Sequence, residues 1–147
     1  MPDSPVPTLL AMLICDQVIT DAETKKKTLV GVFDRYLTTG VPLRANLAVY
    51  AKLVDAVGSY LFMLRMVNLK NENPVIDLKT NLFEWKEPRQ AMELALNFRG
   101  IPIPEFGAYE FQLYANEVYV GRATIDVQRL ALPQQGPGGS GPGARRS

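Results

Sequence analysis

The sequence predicts an all-β fold: a single-domain antiparallel two-sheet sandwich of immunoglobulin-like type, with about eight strands. Three observations carry this expectation. Apolar and polar residues alternate with period two through most of residues 8–132, and almost none of that stretch reads as helix. Turn-forming residues recur between the alternating runs. The segment Glu105–Arg122 then reads as a turn, a strict alternating strand, a tight turn and a second strand. Its acidic-x-Gly-x-Tyr-x-apolar opening suits a strand entering the second sheet of such a sandwich, where a tyrosine ties the corner.

In chain order, residues 1–7 form a Pro-rich leader without a periodic pattern. Leu9–Val18 is apolar on both faces, as expected for a strand covered on both sides. The polar run Thr20–Lys27 connects it to a second strand, Thr28–Leu37. Leu47, Val49, Ala51 and Leu53 mark one face of a third, which Asp55 and Gly58 end. Tyr60–Leu69 is the fourth, closed by Asn71-Glu72-Asn73-Pro74. Ile76, Leu78, Thr80 and Leu82 alternate with polar residues in the fifth, and Met92, Leu94, Leu96 and Phe98 in the sixth. The sixth contains good helix formers, but strict alternation decides it for strand. Gly100-Ile101-Pro102-Ile103-Pro104 must run extended, because a residue before proline is pushed out of the helical region, and suits a crossing between sheets. Residues 133–147 are a Gly/Pro/Ser-rich tail that cannot bury apolar surface and is expected to be disordered.

The last two strands carry a register argument. Tyr109, Phe111, Leu113 and Ala115 share one face of the seventh; Ala123, Ile125 and Val127 are the apolar face of the eighth. A two-residue turn at Asn116-Glu117 pairs Leu113 with Val120, and continued unbroken it sets Phe111 against Arg122 on the core face. One extra residue at Val120-Gly121 removes the conflict, so that Phe111 meets Ala123 and Tyr109 meets Ile125. Gly121 tolerates the backbone angles that such a bulge requires.

Composition narrows the function classes. The net charge of +1 gives no field to recruit nucleic acid or an anionic membrane. The 147 residues include no histidine, which removes Ser-His and Cys-His catalysis and most zinc sites together. The single cysteine rules out an intrachain disulfide. Leu9–Cys15 lacks the positive flank and cleavage site of a secretory signal, so the expectation is a buried strand in a cytoplasmic protein. Ile14 and Val18 flank Cys15 and Asp16 disfavours a thiolate, which makes the cysteine structural rather than nucleophilic. Asp16, Asp21, Glu23, Asp34 and Asp55 sit near strand ends without the spacing of a calcium loop. The Gly136–Gly143 run lacks the Lys-Ser or Lys-Thr of a phosphate loop. No catalytic residue, metal ligand or cofactor is therefore assigned.

What remains is an aromatic surface. Tyr114, Trp85 and Tyr50 are the candidate partner-binding residues, because aromatics with a polar tip are enriched where proteins meet partners. Tyr114 leads, since it lies on the face opposite Phe111 and Leu113. A non-catalytic protein-interaction module is the favoured reading. A small-ligand or carbohydrate-binding sandwich that stacks its ligand on Trp85 and exposed tyrosines, and an enzymatic or calcium-dependent module using loop carboxylates, are the alternatives. An open sheet edge would also allow homodimers by strand addition.

Leu13–Val18, Leu29–Asp34, Val49–Leu53, Gly107–Asn116 and Gly121-Arg122 together resemble a family of small bacterial domains of unknown function with an immunoglobulin-like sandwich. The resemblance implies a stand-alone cytoplasmic domain and carries no activity or ligand residues to transfer. The chain departs from it at Asn116-Glu117, where the family's usual turn is Asn-Gly. Glutamate is unfavourable at a turn position with positive φ.

Overall fold

The computed structural model describes residues 4–131; the tail expected at 133–147 and the first three residues of the leader lie outside them. Among the described residues there is no helix, and eleven strands form the fold. They are β1 (Thr8–Thr20), β2 (Lys27–Val32), β3 (Arg35–Thr38), β4 (Leu43–Val54), β5 (Gly58–Tyr60), β6 (Phe62–Asn68), β7 (Asn73–Lys79), β8 (Phe83–Trp85), β9 (Met92–Ile103), β10 (Gly107–Ala115) and β11 (Val118–Arg129). A four-stranded sheet runs β2-β1-β4-β9, a five-stranded sheet β3-β11-β10-β6-β7, and β5 pairs with β8 in a small third sheet. The all-β class is as expected. The wholly antiparallel arrangement is not, because β3 lies parallel to β11.

The extra strands come from two divisions of expected strands and one added short strand. Thr28–Leu37 breaks where Gly31 takes a left-handed φ of 66°. β2 ends one residue later, at Val32, in the four-stranded sheet, and Phe33-Asp34 carries the chain across to become β3 in the five-stranded one. Tyr60–Leu69 divides at Leu61, whose N–H is taken by the Asn116 side chain at 2.9 Å instead of by a strand. The fifth strand stops at Lys79, and β8 follows it. Ile101–Ile103 is extended, after Gly100 at a φ of 75°, but does not cross between sheets. It prolongs β9 against β4, with Ile101 opposite Ala45 and Ile103 opposite Leu43. Pro102 is tolerated because β9 is an edge strand that needs no outward N–H.

One principal core draws Leu47, Val49 and Leu53 from the four-stranded sheet and Phe62, Leu64, Tyr109, Phe111 and Ile125 from the five-stranded sheet. Tyr109 ties the corner as expected: its hydroxyl donates to the Glu105 carbonyl at 2.6 Å and accepts the Glu105 N–H at 3.1 Å. Ser4 and Pro5 of the leader are also held. The Ser59 N–H donates to Ser4 Oγ at 3.0 Å, and the Tyr60 hydroxyl donates to the Pro5 carbonyl at 2.6 Å.

A second, smaller core lies on the other side of the four-stranded sheet. Tyr50 and Ala48 alternate with Val49 and Ala51, so they face away from the principal core. Beyond Cys15, β1 leaves β4 and comes into contact with β9, although β4 separates the two in the sheet. The Val18 N–H donates to Asn97 Oδ1 at 3.0 Å, and Asn97 Nδ2 donates to the Val18 carbonyl at 3.3 Å. The distal β1–β2 hairpin therefore covers Cys15, Ala48 and Tyr50.

Candidate functional site

The turn of the β10–β11 hairpin lies at Asn116-Glu117, as expected, with φ of 49° and 70°. Both angles are those of a two-residue turn that twists with its strands. Glu117 is held in this unfavourable region because Asn116 is anchored. Its Nδ2 donates to the Ser59 carbonyl at 3.0 Å, and its backbone N–H donates to the Leu61 carbonyl at 2.9 Å. The bulge is also where the sequence places it: Leu113 faces Gly121, Tyr114 faces Tyr119, and Val120 is the extra residue. The pairs Phe111–Ala123 and Tyr109–Ile125 follow. The reason for the glycine differs from the expectation. Gly121 has no positive φ; a β-carbon there would collide with the Leu9 side chain across the core.

The two-residue turn makes Tyr114 and Tyr119 cross-strand neighbours on the outer face of the five-stranded sheet, just before the bulge. Their rings meet edge to face with centroids 5.7 Å apart, an arrangement that the ring quadrupoles favour. Register extends the row across the sheet, since Tyr114 pairs with Met63 and Met63 with Lys79. Leu61 is exposed beside it, and Tyr119 retains 48 % of its accessible surface. A cleft of about 510 Å³ opens here, lined by Leu61, Phe62, Met63 and Tyr114 with Arg65, Lys79, Asn116 and Glu117.

The next row is polar and internally bonded. Arg65 holds Asp77 through two hydrogen bonds, of 2.7 and 3.1 Å. That guanidinium lowers the Asp77 pKa below the usual carboxylate range, and Asp77 raises that of Arg65 in turn. Gln112 accepts the Tyr114 hydroxyl at 2.9 Å and donates to Glu110 at 2.6 Å. Arg122 lies 3.6 Å from Glu110. The tyrosine is thus oriented by a chain of hydrogen bonds, and its ring is half-buried against Tyr119.

The other two candidates do not join it. Trp85 is half-buried against the principal core, and its indole N–H donates to the Glu87 and Gln90 carbonyls at 2.9 and 3.3 Å. It fastens its own loop, so it is not a free stacking platform. Tyr50 is corrected outright: it is only 7 % exposed, beneath the β1–β2 hairpin. Its hydroxyl donates to Glu93, and burial, then the Glu93 carboxylate, push its pKa up. Cys15 is fully buried beside it, with burial raising the thiol pKa. Met63, Leu61 and Tyr119 were missed by sequence reasoning. The two-residue turn was the available signal for Tyr119, because it sets that residue opposite Tyr114.

Asp21 shapes its own turn, with Oδ1 accepting the Glu23 and Thr24 N–H groups at 2.8 and 2.9 Å; those bonds lower its pKa. Among the described residues no group of three or more Cys, Asp or Glu is placed to hold a metal ion. Among the same residues no helix is long and apolar enough to cross a membrane.

No curated protein matches the chain. A family model described as a family of unknown function (DUF6941) matches residues 10–128. That span is most of the chain, and the protein belongs to this family.

Proposed function

We propose that this protein is a non-catalytic protein-interaction module, an immunoglobulin-like sandwich that presents the Tyr114–Tyr119 end of its five-stranded sheet to another protein. The observation that carries the reading is the pair of tyrosines packed edge to face on an uncovered sheet surface, beside exposed Leu61. Tyrosine supplies large, rigid contact area and a polar tip, and interface hot spots are enriched in it. The polar row behind it is satisfied internally, so covering the tyrosines strands few polar groups.

Affinity capture from native lysate tests this. The expected result is one stoichiometric protein, retained by a Trp85→Phe control and lost with Tyr114→Ala plus Tyr119→Ala. A hot-spot tyrosine contributes about 2 kcal/mol, roughly thirtyfold in affinity. Failure of the wild type to retain any stoichiometric protein, or equal retention by the double variant, sinks the reading.

A second reading, a small-ligand site, has one observation in its favour. The cleft of about 510 Å³ is of the size that takes small molecules. A thermal-shift screen separates the two, since a ligand that binds only the native state must raise the melting temperature. A hit that Met63→Lys abolishes would favour the ligand reading.

A further inference from the structure

A different part of the molecule leaves a strand ladder unfinished. β11 pairs with β10 from Val118 to Val127, but on its other side β3 reaches only residues 126–129. The edge from Tyr119 to Ile125 has no hydrogen-bonded partner strand, although β1 packs beside it with Leu9 against Gly121. The Asp126 N–H donates outward to the Asp34 carbonyl at 2.9 Å. By strand alternation the N–H groups of Thr124 and Arg122 point the same way. Across the sandwich β1 is likewise unpaired on one side from Thr8 to Leu13, because β2 joins it only at Cys15. A slot of about 530 Å³ opens between these two edges, lined by Leu13, Val32, Phe33, Arg122, Ala123 and Thr124. Leu13 and Val32 are exposed there.

We propose that the Tyr119–Ile125 edge of β11 accepts an extended segment of a partner protein by strand addition, in line with β3, with an acidic side chain opposite Arg122. An unpaired ladder edge offers donors and acceptors at strand spacing, and only an extended backbone matches them. Arg122 is the cation on this edge, its side chain 64 % exposed and its Glu110 contact a long 3.6 Å. An acidic cross-strand neighbour complements it.

Two other occupants fit poorly. If a second copy paired its own β11 here about Arg122, the two arginines would meet. Glu117 of one copy would then lie opposite Val127 of the other, in the place that β3 already holds. The chain's own segment 132–147 is rich in glycine and proline, which suit a ladder badly.

The test uses the full chain and three labelled seven-residue peptides of alternating threonine and valine. One has a central glutamate, one a central lysine, and one a central proline. The glutamate peptide is expected to bind about fivefold more tightly than the lysine peptide, and the proline peptide to fail. Arg122→Glu reverses the charge preference. Thr124→Pro removes one outward N–H while leaving the β10 ladder intact, and abolishes binding. Tyr114→Ala leaves peptide binding unchanged, which separates this edge from the aromatic row. No binding at about 1 mM peptide, equal binding of the proline peptide, or unaltered binding by Thr124→Pro overturns strand addition. Charge-blind binding by both the wild type and Arg122→Glu overturns the acidic partner.

Discussion

The outer faces of the two large sheets begin from similar chemistry and end differently. Each carries a tyrosine on a strand: Tyr50 within β4 and Tyr114 near the end of β10. Over Tyr50 the chain folds its own β1–β2 hairpin, fixed by two hydrogen bonds between Asn97 and Val18, and a second core results. Over Tyr114 it folds nothing, and the ring meets Tyr119 at the surface. Both tyrosines have hydroxyl partners within the chain, Glu93 for one and Gln112 for the other. The difference is therefore cover and not polarity. A covered aromatic serves stability, and an uncovered one with its hydroxyl already satisfied is available to a partner.

The comparison breaks most easily at Cys15. Cys15→Asp places an unpaired charge beneath the hairpin and should cost about 3 kcal/mol or more, read as a lower urea midpoint. Tyr114→Asp loses the Tyr119 ring contact and the Gln112 hydrogen bond but stays in reach of solvent, and should cost about 1 kcal/mol. If the two cost the same, the second core is not a core. Next in size, Asn97→Ala leaves the Val18 N–H and carbonyl without partners and should cost about 2 kcal/mol. Hydrogen exchange should then show faster exchange across β2, with the β10–β11 ladder unaffected.

The third test sharpens the contrast through pH. Burial raises the pKa of both Tyr50 and Tyr109, so the folded state favours their neutral phenols. That contribution to stability is complete below the unfolded tyrosine pKa of about 10 and is lost as pH rises through the folded values. Tyr50→Phe and Tyr109→Phe should each flatten the fall in melting temperature above about pH 10; an unchanged slope would count against the buried assignment. The smallest effect belongs to the open face. Asp77 is lowered by Arg65, so its contribution is present above the unfolded aspartate pKa of about 3.9 and is lost as pH falls through the folded value. Solvent screens this half-exposed pair, and Asp77→Asn should cost no more than about 0.5 kcal/mol at neutral pH.

Much of the fold was legible because it depends on neighbours in the chain. Alternation located the strands, Asn116-Glu117 the turn, and the clash of faces at Phe111 and Arg122 demanded the bulge at Val120-Gly121. The candidate site was legible only in Tyr114. Tyr50 alternates as Tyr114 does, so nothing local separates a buried ring from an open one. Trp85 looked available because the Glu87 and Gln90 carbonyls that take its indole N–H depend on how a loop closes.

By itself the sequence determined an all-β chain without histidine chemistry, the hairpin register and the tyrosine corner, since period, parity and residue type settle these locally. Tertiary structure alone decided four things: the sheet change at Phe33-Asp34, the parallel placement of β3, the hairpin over Tyr50 and the contact of Leu9 that makes Gly121 a glycine. Alternation states which face a side chain takes. What covers that face is set by residues distant in the chain, and here that cover separates the second core from the candidate site.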